Sequence, residues 1–481
     1  MKAKSLTLGS AFWLITILFQ QTNCLSAEIA TAITNTPPTG FTALFNGTDL
    51  SGWYGWGTRN PAEFTAMSPE EQAEYKQKSI EGGLLDGKGK DKGDHLNAHW
   101  KVEDGELVND GKGLYLTTDQ EFGDFELLVD YKMLPLGDSG IYLRGIPQVQ
   151  IWDSTEEAKF KLGADKGSGG LWNNRRPEGK NPSKLMDKPF GEWNHFRIRM
   201  IGERVTVELN GEVVVDDAIM DNYFARRQKP PLAANGKPVN GYFPDPVPAR
   251  GPIQLQTHGS EIRWRNVFVR EIPADEANAI LAAKDAEGFV ELNNGTDLSN
   301  WQGAVGSYEI RDGSIVCKQG KGGDLLTKDS FGDCRIRTEF RLPEAGNNGI
   351  AIRVPEGGHS AHDGFELQVI DNKGYNARLA KAGKPGLKDY QHHGSLYFCA
   401  AAKQGYLRPT GQWNFQEIEI RGQHVRVILN GTRILDLDID KFDRSQMEHI
   451  PGGLDRSDGF VGLAGHNDPV EFRSFKVKRL D

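Results

Sequence analysis

Short runs in which apolar and polar residues alternate recur along the whole chain. Phe125-Glu126-Leu127-Leu128-Val129-Asp130-Tyr131, His195-Phe196-Arg197-Ile198-Arg199-Met200 and Val205-Thr206-Val207-Glu208-Leu209 are three of them. Successive strand side chains point to opposite faces, so each run has one apolar face to bury. Asn210-Gly211 separates the third run from Val213-Val214-Val215, which predicts a two-residue hairpin. With few amphipathic helical stretches between them, many such strands predict an all-β fold, an antiparallel β-sandwich or jelly roll. Two stretches read as helix. Ser68-Pro69-Glu70-Glu71-Gln72 offers an N-cap serine and a first-turn proline, and Asp275 to Lys284 is rich in Ala, Leu and Glu.

The pattern is duplicated. Phe45-Asn46-Gly47-Thr48-Asp49-Leu50-Ser51-Gly52-Trp53 returns as Asn293-Asn294-Gly295-Thr296-Asp297-Leu298-Ser299-Asn300-Trp301. Later landmarks keep their order: Phe122-Gly123-Asp124 returns as Phe331-Gly332-Asp333, Gly191-Glu192-Trp193-Asn194 as Gly411-Gln412-Trp413-Asn414, and Leu209-Asn210-Gly211 as Leu429-Asn430-Gly431. Self-similarity at this scale means repeated structural units. The 481 residues therefore divide into two tandem sandwiches, 42–272 and 288–481, joined by a helical linker at 273–287. A long insertion between Trp53 and Trp100, holding the first predicted helix, sets the first copy apart.

Composition narrows the setting. Lys2 and Lys4 precede a mostly apolar run from Leu6 to Phe19, then Leu25-Ser26-Ala27, the layout of a signal peptide at 1–27 and hence of a secreted or periplasmic protein. That run is short of the roughly 20 apolar residues a bilayer needs, and nothing later reaches it, so no membrane span is expected. A net charge of −9 argues against nucleic acid as partner. Glycine, at 57 residues, fits a fold rich in turns. Beyond the leader only Cys317, Cys334 and Cys399 remain, open to one disulfide with one free thiol or to buried apolar thiols.

Candidate chemistry follows from the same alternation. Gly137-Asp138-Ser139-Gly140 leads into Ile141-Tyr142-Leu143-Arg144 and then Gln148-Val149-Gln150-Ile151-Trp152-Asp153. One face would carry Ile141, Leu143, Val149 and Ile151, and the other Tyr142, Arg144, Gln148, Gln150 and Trp152. Amides and guanidinium pair with hydroxyls and an aromatic ring covers the C–H face of a sugar, although the polar outer face of any sheet looks similar. The second copy has Asn347-Asn348-Gly349-Ile350-Ala351-Ile352-Arg353 and Glu366-Leu367-Gln368-Val369-Ile370-Asp371, placing Arg353, Glu366 and Gln368 together. Glu366 stands where the first copy has Gln148, so one copy offers a general base that the other lacks. Asp153 and Asp371 end their strands, where capping a turn competes with binding a ligand. His258 and His466 recur at one topological point, suited to proton transfer or to a structural hydrogen bond. His95, His99, His359, His362, Asp363, His392 and His393 offer ligands for a divalent cation, but without diagnostic spacing, so no metal or cofactor is predicted.

These motifs resemble the 3-keto-disaccharide hydrolase family, through Phe41 to Trp53, Gly137 to Gly145, Pro147 to Asp153 and Gly191 to Asn194. The second copy keeps the motif order but departs at Asn348 for Ser139 and at Glu366 for Gln148. The resemblance implies concanavalin A-like jelly rolls acting on oxidised (3-keto) glycosides. A C3 ketone acidifies the C2–H, so that proton removal, loss of the C1 substituent and addition of water give net hydrolysis. On that basis Arg144 and Arg353 are expected as oxyanion or hydroxyl partners and His258, His466 and Glu366 as proton carriers. Tyr142, Gln148, Gln150, Trp152, Asp153, Gln368 and Asp371 are expected to hold substrate. The alternative is a non-catalytic, lectin-like protein that binds glycans, favoured by the non-ionisable Gln148. A two-carboxylate glycosidase is a weaker option, because the first copy shows no acid pair.

Overall fold

The computed structural model describes residues 35–480, so the signal peptide expected at 1–27 lies outside the described residues. The strands build four antiparallel sheets, two in each half. In the first half an eight-stranded back sheet runs Glu212–Ile219, Arg204–Leu209, Asn194–Ile201, Phe125–Met133, Ile262–Glu271, Glu106–Asn109 and Trp100–Glu103, with Thr42–Ala43 added to Ile262–Glu271. A five-stranded front sheet runs Trp53–Trp56, Tyr115–Thr118, Gln254–Leu255, Asp138–Leu143 and Ile146–Trp152. The second half repeats both orders. Its back sheet runs from Thr432–Asp438 to Tyr308–Arg311, and its front sheet is Trp301–Gly303, Gly322–Phe331, Gly459–His466, Asn347–Val354 and Phe365–Ile370. Each half is therefore a jelly-roll sandwich.

The apolar face of every alternating run lies between the two sheets. Leu127, Val129, Ile198 and Val207 of the first back sheet meet Leu116, Ile141, Leu143, Val149, Ile151 and Leu255 of the front sheet, each worth about 1.5–3 kcal/mol when fully buried. The hairpin turns follow from their residue types. Asn210 and Gly211 have φ of 53° and 87°, and Asn430 and Gly431 of 50° and 82°, the left-handed pair that an Asn-Gly turn tolerates at low cost.

Both expected helices form. Pro69–Glu81 begins with a capping box in which Ser68 Oγ accepts the Glu71 N–H at 3.2 Å and Glu71 Oε2 accepts the Ser68 N–H at 2.7 Å. It lies on the front sheet, where Tyr75, Phe64 and Trp56 pack edge to face. The linker helix, Ala274–Ala283, places Ala277 and Leu281 among Ile201, Ile272 and Phe415, a cluster shared by both halves.

The halves share a tight seam. Gly202 lies so close to the Asn430-Gly431 turn that a Cβ there would sit 2.3 Å from the Gly431 carbonyl carbon. Across the seam Lys403 Nζ pairs with Asp245 at 2.7 Å, and the Tyr406 hydroxyl donates to the Val247 carbonyl at 3.1 Å. Cys317, Cys334 and Cys399 are all free and buried. Burial pushes their thiols up to about 11, 12 and 12 respectively.

Candidate functional site

The outer face of each front sheet carries the recurring polar positions. In the second half the strand register sets two rows across the sheet, Leu326–Gly462–Ala351–Glu366 and Asp324–Ala464–Gly349–Gln368. The middle of both rows is built from Gly and Ala, so the long side chains at the edge can lie flat over it. Glu366 does so: a Cβ on Gly349 would be 2.2 Å from Glu366 Oε1. The carboxylate is buried and accepts from Gln368 Nε2 at 3.1 Å, with His466 Nε2 at 3.2 Å. His466 is raised above its ordinary value. Burial works against its cation but is outweighed by the hydrogen bond and charge of Glu366, with Asp324 and Asp468 adding to it. The result is a hydrogen-bonded Glu366–His466 couple whose histidine remains half-exposed. Beside it lies a cavity of about 320 Å³, lined by Gln302, Asp324, Leu326, His359 and Phe460 among others.

In the first half the same face is filled. Where the second half has Gly462, Ala464 and Ala351, the first has Gln254, Gln256 and Tyr142, aligned by the same pairings. Tyr142 is buried beneath the insertion, its hydroxyl 2.9 Å from Thr58 Oγ1. Trp152 is buried too, its indole N–H donating to the Gly167 carbonyl at 2.9 Å and its ring edge-on to Trp172. Gln148 donates to Gln150. Gln150 donates to Asp138 Oδ1 at 2.9 Å. His258 Nδ1 and Lys159 Nζ both reach Asp138 Oδ2, at 3.2 and 3.1 Å. His258 is raised, chiefly by its hydrogen bond to Asp138. Asp138 is held below the usual carboxylate range, because the partnership of His258 and Lys159 outweighs its burial.

The structure thus brings Tyr142, Gln148, Gln150, Trp152 and His258 to one face, and Glu366, Gln368 and His466 to the matching face. It does not bring Arg144 or Arg353 there. Each sits at a bulge just past a strand's regular register, with φ of 52°, and that left-handed step turns the side chain away from the strand's alternation. Arg144 is buried and donates to the carbonyls of Gly123, Gly202 and Pro248 at 2.9, 2.8 and 3.1 Å, pairing with Asp124 at 3.0 Å. Asp124 also meets Arg408 of the second half at 3.3 Å. Arg353 donates to the Gly422 carbonyl and to Gln423 Oε1. Both arginines recur because they pin the same hairpin of the fold.

Asp153 and Asp371 hold turns. Asp153 accepts the N–H groups of Leu136 and Thr155 at 2.8 and 2.7 Å, and Asp371 accepts that of Ala345 at 2.9 Å. Leu136 and Ala345 are themselves left-handed, so each aspartate stabilises a strained loop.

Of the other histidines, His359, His362 and His449 lie ring against ring, with centroids 5.3 and 4.7 Å apart. His95 bonds to the Ile80 carbonyl, and His99 to the Gly93 carbonyl and to Asp110, just beyond the insertion. His393 is buried against Phe340 and lowered by desolvation to about 3. His362 and His449 meet at 3.2 Å on an exposed loop. Among the described residues no three His, Cys, Asp or Glu side chains gather as metal ligands would. Sequence reasoning missed Asp138, although counting alternate positions back from Tyr142 puts it on the same face. It also missed Gly349, whose importance is visible only once Glu366 is seen lying over it.

A family model described as the 3-keto-alpha-glucoside-1,2-lyase-like domain matches the chain twice, at residues 40–270 and 288–478. A Bacteroides thetaiotaomicron protein named 3-keto-disaccharide hydrolase is 26% identical over 255 residues, covering 44% of this chain and 86% of the relative. Among solved structures, a provisionally named glycosyl hydrolase of Parabacteroides distasonis is 25% identical, covers 41% of this chain and 95% of its own, and has a TM-score of 0.37. A carbohydrate binding module of Bacillus subtilis is 11% identical, covers 40% of this chain and 95% of its own, and has a TM-score of 0.22.

Proposed function

The chain belongs, in both of its halves, to the 3-keto-alpha-glucoside-1,2-lyase-like domain family, and from that premise we propose that it is an enzyme that cleaves 3-keto-glycosides, with Glu366 and His466 of the second half as its acid–base couple. The observation that carries this reading is the buried Glu366 carboxylate held 3.2 Å from a half-exposed His466, beside a cavity of about 320 Å³.

Two proton carriers are what the chemistry requires. Glu366 takes the C2 proton, which the neighbouring C3 ketone has acidified. The electron pair moves to the ketone oxygen as an enolate and returns to expel the C1 substituent, whose oxygen receives a proton from the His466 imidazolium. Water then adds at C1, giving a proton back to His466, while Glu366, its proton exchanged with solvent in the meantime, protonates C2. General acid–base help of this kind is worth about 10²–10⁴-fold. The couple works while Glu366 is ionised and His466 protonated, so its activity falls as pH rises through the raised value of His466.

The test compares a 3-keto-glucoside carrying a chromogenic aglycone with its unoxidised parent, in D2O. Release from the keto form alone, with deuterium at C2 of the sugar, is expected, and Glu366→Gln should lower kcat/KM by about 10-fold or more. Equal release from the parent glucoside would overturn the reading. So would binding without release, which would favour the lectin-like alternative.

A further inference from the structure

A cavity of about 300 Å³ lies at the seam, lined by four arginines: Arg175, Arg176 and Arg226 of the first half and Arg433 of the second. Three carboxylates share it, and two of them are already engaged. Asp221 accepts from Arg176 Nε at 2.9 Å and from the Arg175 N–H at 2.8 Å, while Asp245 accepts from Lys403 and from Gln228, both at 2.7 Å. The third, Glu203, is buried and accepts the Arg433 backbone N–H at 3.2 Å.

The cavity is left with donors that lack acceptors. Among the described residues the side chains of Arg175 and Arg226 donate only to carbonyl oxygens, Arg175 to that of Arg226 at 2.9 Å and Arg226 to those of Asn173. Arg226 Nε and Arg433 Nε are buried without any partner. A buried N–H with no acceptor is costly, and native proteins seldom keep one without a reason. Aromatic rings hold both groups in place, Arg226 over Tyr223 at 4.2 Å and Arg433 over Phe243 at 5.1 Å. Burial, with the nearby charge of Arg175, keeps Arg226 below its ordinary value. A negative charge in the cavity relieves both effects.

We propose that this cavity binds a tetrahedral oxyanion, a sulfate or phosphate group that is free or carried as an ester on a sugar, through Arg175, Arg226 and Arg433. Planar guanidinium forks drawn from separate loops and strands suit an acceptor with oxygens on every side. The site lies apart from both front-sheet faces and does not depend on the reaction proposed for them. Neither half holds the three arginines alone, so an anion bound only by the folded pair stabilises the seam. Glu203 gives the binding a pH dependence. Burial pushes it up to about 6 against the pull of Arg433, Arg176 and Arg204, and once ionised it repels the anion. Sulfate affinity therefore falls as pH rises through about 6.

The test follows the melting temperature and calorimetric binding of the full chain with sodium sulfate, against sodium chloride at equal ionic strength. Saturable binding of sulfate, unmatched by chloride, is expected. Arg226→Met and Arg433→Met should each weaken it about 10-fold or more, and Arg226→Lys, which keeps the charge but loses the fork, should weaken it less. Glu203→Gln should make the affinity independent of pH from 5 to 8, a range in which sulfate itself does not titrate. Glucose 6-sulfate separates the two sources: tighter binding than inorganic sulfate identifies the ester as the ligand, and equal binding the free ion. Stabilisation that does not saturate, that chloride matches, or that persists in both methionine variants as folded proteins would overturn the proposal.

Discussion

Adding one methyl group at Gly349 should disable the second half without replacing any charged residue. Gly349 does not need a glycine backbone, since its φ is not in the left-handed region, so alanine costs no strain there. Its Cβ would stand 2.2 Å from Glu366 Oε1, where ordinary contact begins at 3.4 Å. Either Glu366 or its surroundings must retreat by about 1 Å, and the carboxylate is the free end. Its 3.2 Å approach to His466 then opens past about 4 Å, where no hydrogen bond survives. A hydrogen bond to a charged group contributes about 1.5–3 kcal/mol, equal to about one to two pH units in the titration of His466. Gly349→Ala should therefore bring the His466 titration, followed by NMR, back toward an ordinary imidazole. It should also reduce turnover to the residual level of Glu366→Gln. An unchanged His466 titration in a folded variant would show that Glu366 does not depend on the bare floor, and the geometric argument would fail.

Two further predictions concern stability. Arg144→Met leaves the buried Gly123 and Gly202 carbonyls without this donor, while Asp124 keeps Arg408 and the Gly202 N–H, so denaturant titration should show a loss of about 2–3 kcal/mol, with kcat unchanged in folded protein because Arg144 lies off the reactive face. Glu203, buried at the seam, is pushed up to about 6 by desolvation, against an ordinary 4.5. A carboxyl with a raised value contributes stability fully below about pH 4.5 and loses it as pH rises through about 6. Glu203→Gln should then be more stable than the native chain by about 2 kcal/mol at pH 8 and no different at pH 4, and a gap independent of pH would refute the assignment.

Most of the architecture is legible from alternation. Leu127, Val129, Ile198 and Val207 are core residues because their spacing is two, and Asn210-Gly211 is a turn because few other pairs tolerate two left-handed residues. The same rule placed Gln150, Trp152, Glu366 and Gln368 on the outer face. It failed at Arg144 and Arg353, since a bulge with positive φ shifts the phase of the strand by one residue, and nothing in the local pattern announces it. The contrast between a filled and an open face was also hidden. It depends on which residues of distant strands stand side by side, as Gln254 beside Tyr142 and Gly462 beside Ala351 do. Repetition within the chain marked Arg144 and Arg353 as important, but the role they share is architectural.

The small cluster of Ile201, Ile272, Ala277, Leu281 and Phe415 has an evolutionary consequence. It belongs to neither sandwich alone, and with Gly202 wedged against the Asn430-Gly431 turn it makes each copy a condition of the other's solubility. Neither copy can be deleted, exchanged or inherited separately without baring apolar surface. Such a seam tolerates point replacements within the two fixed frames, as the matching positions of Glu366 and Gln148 show.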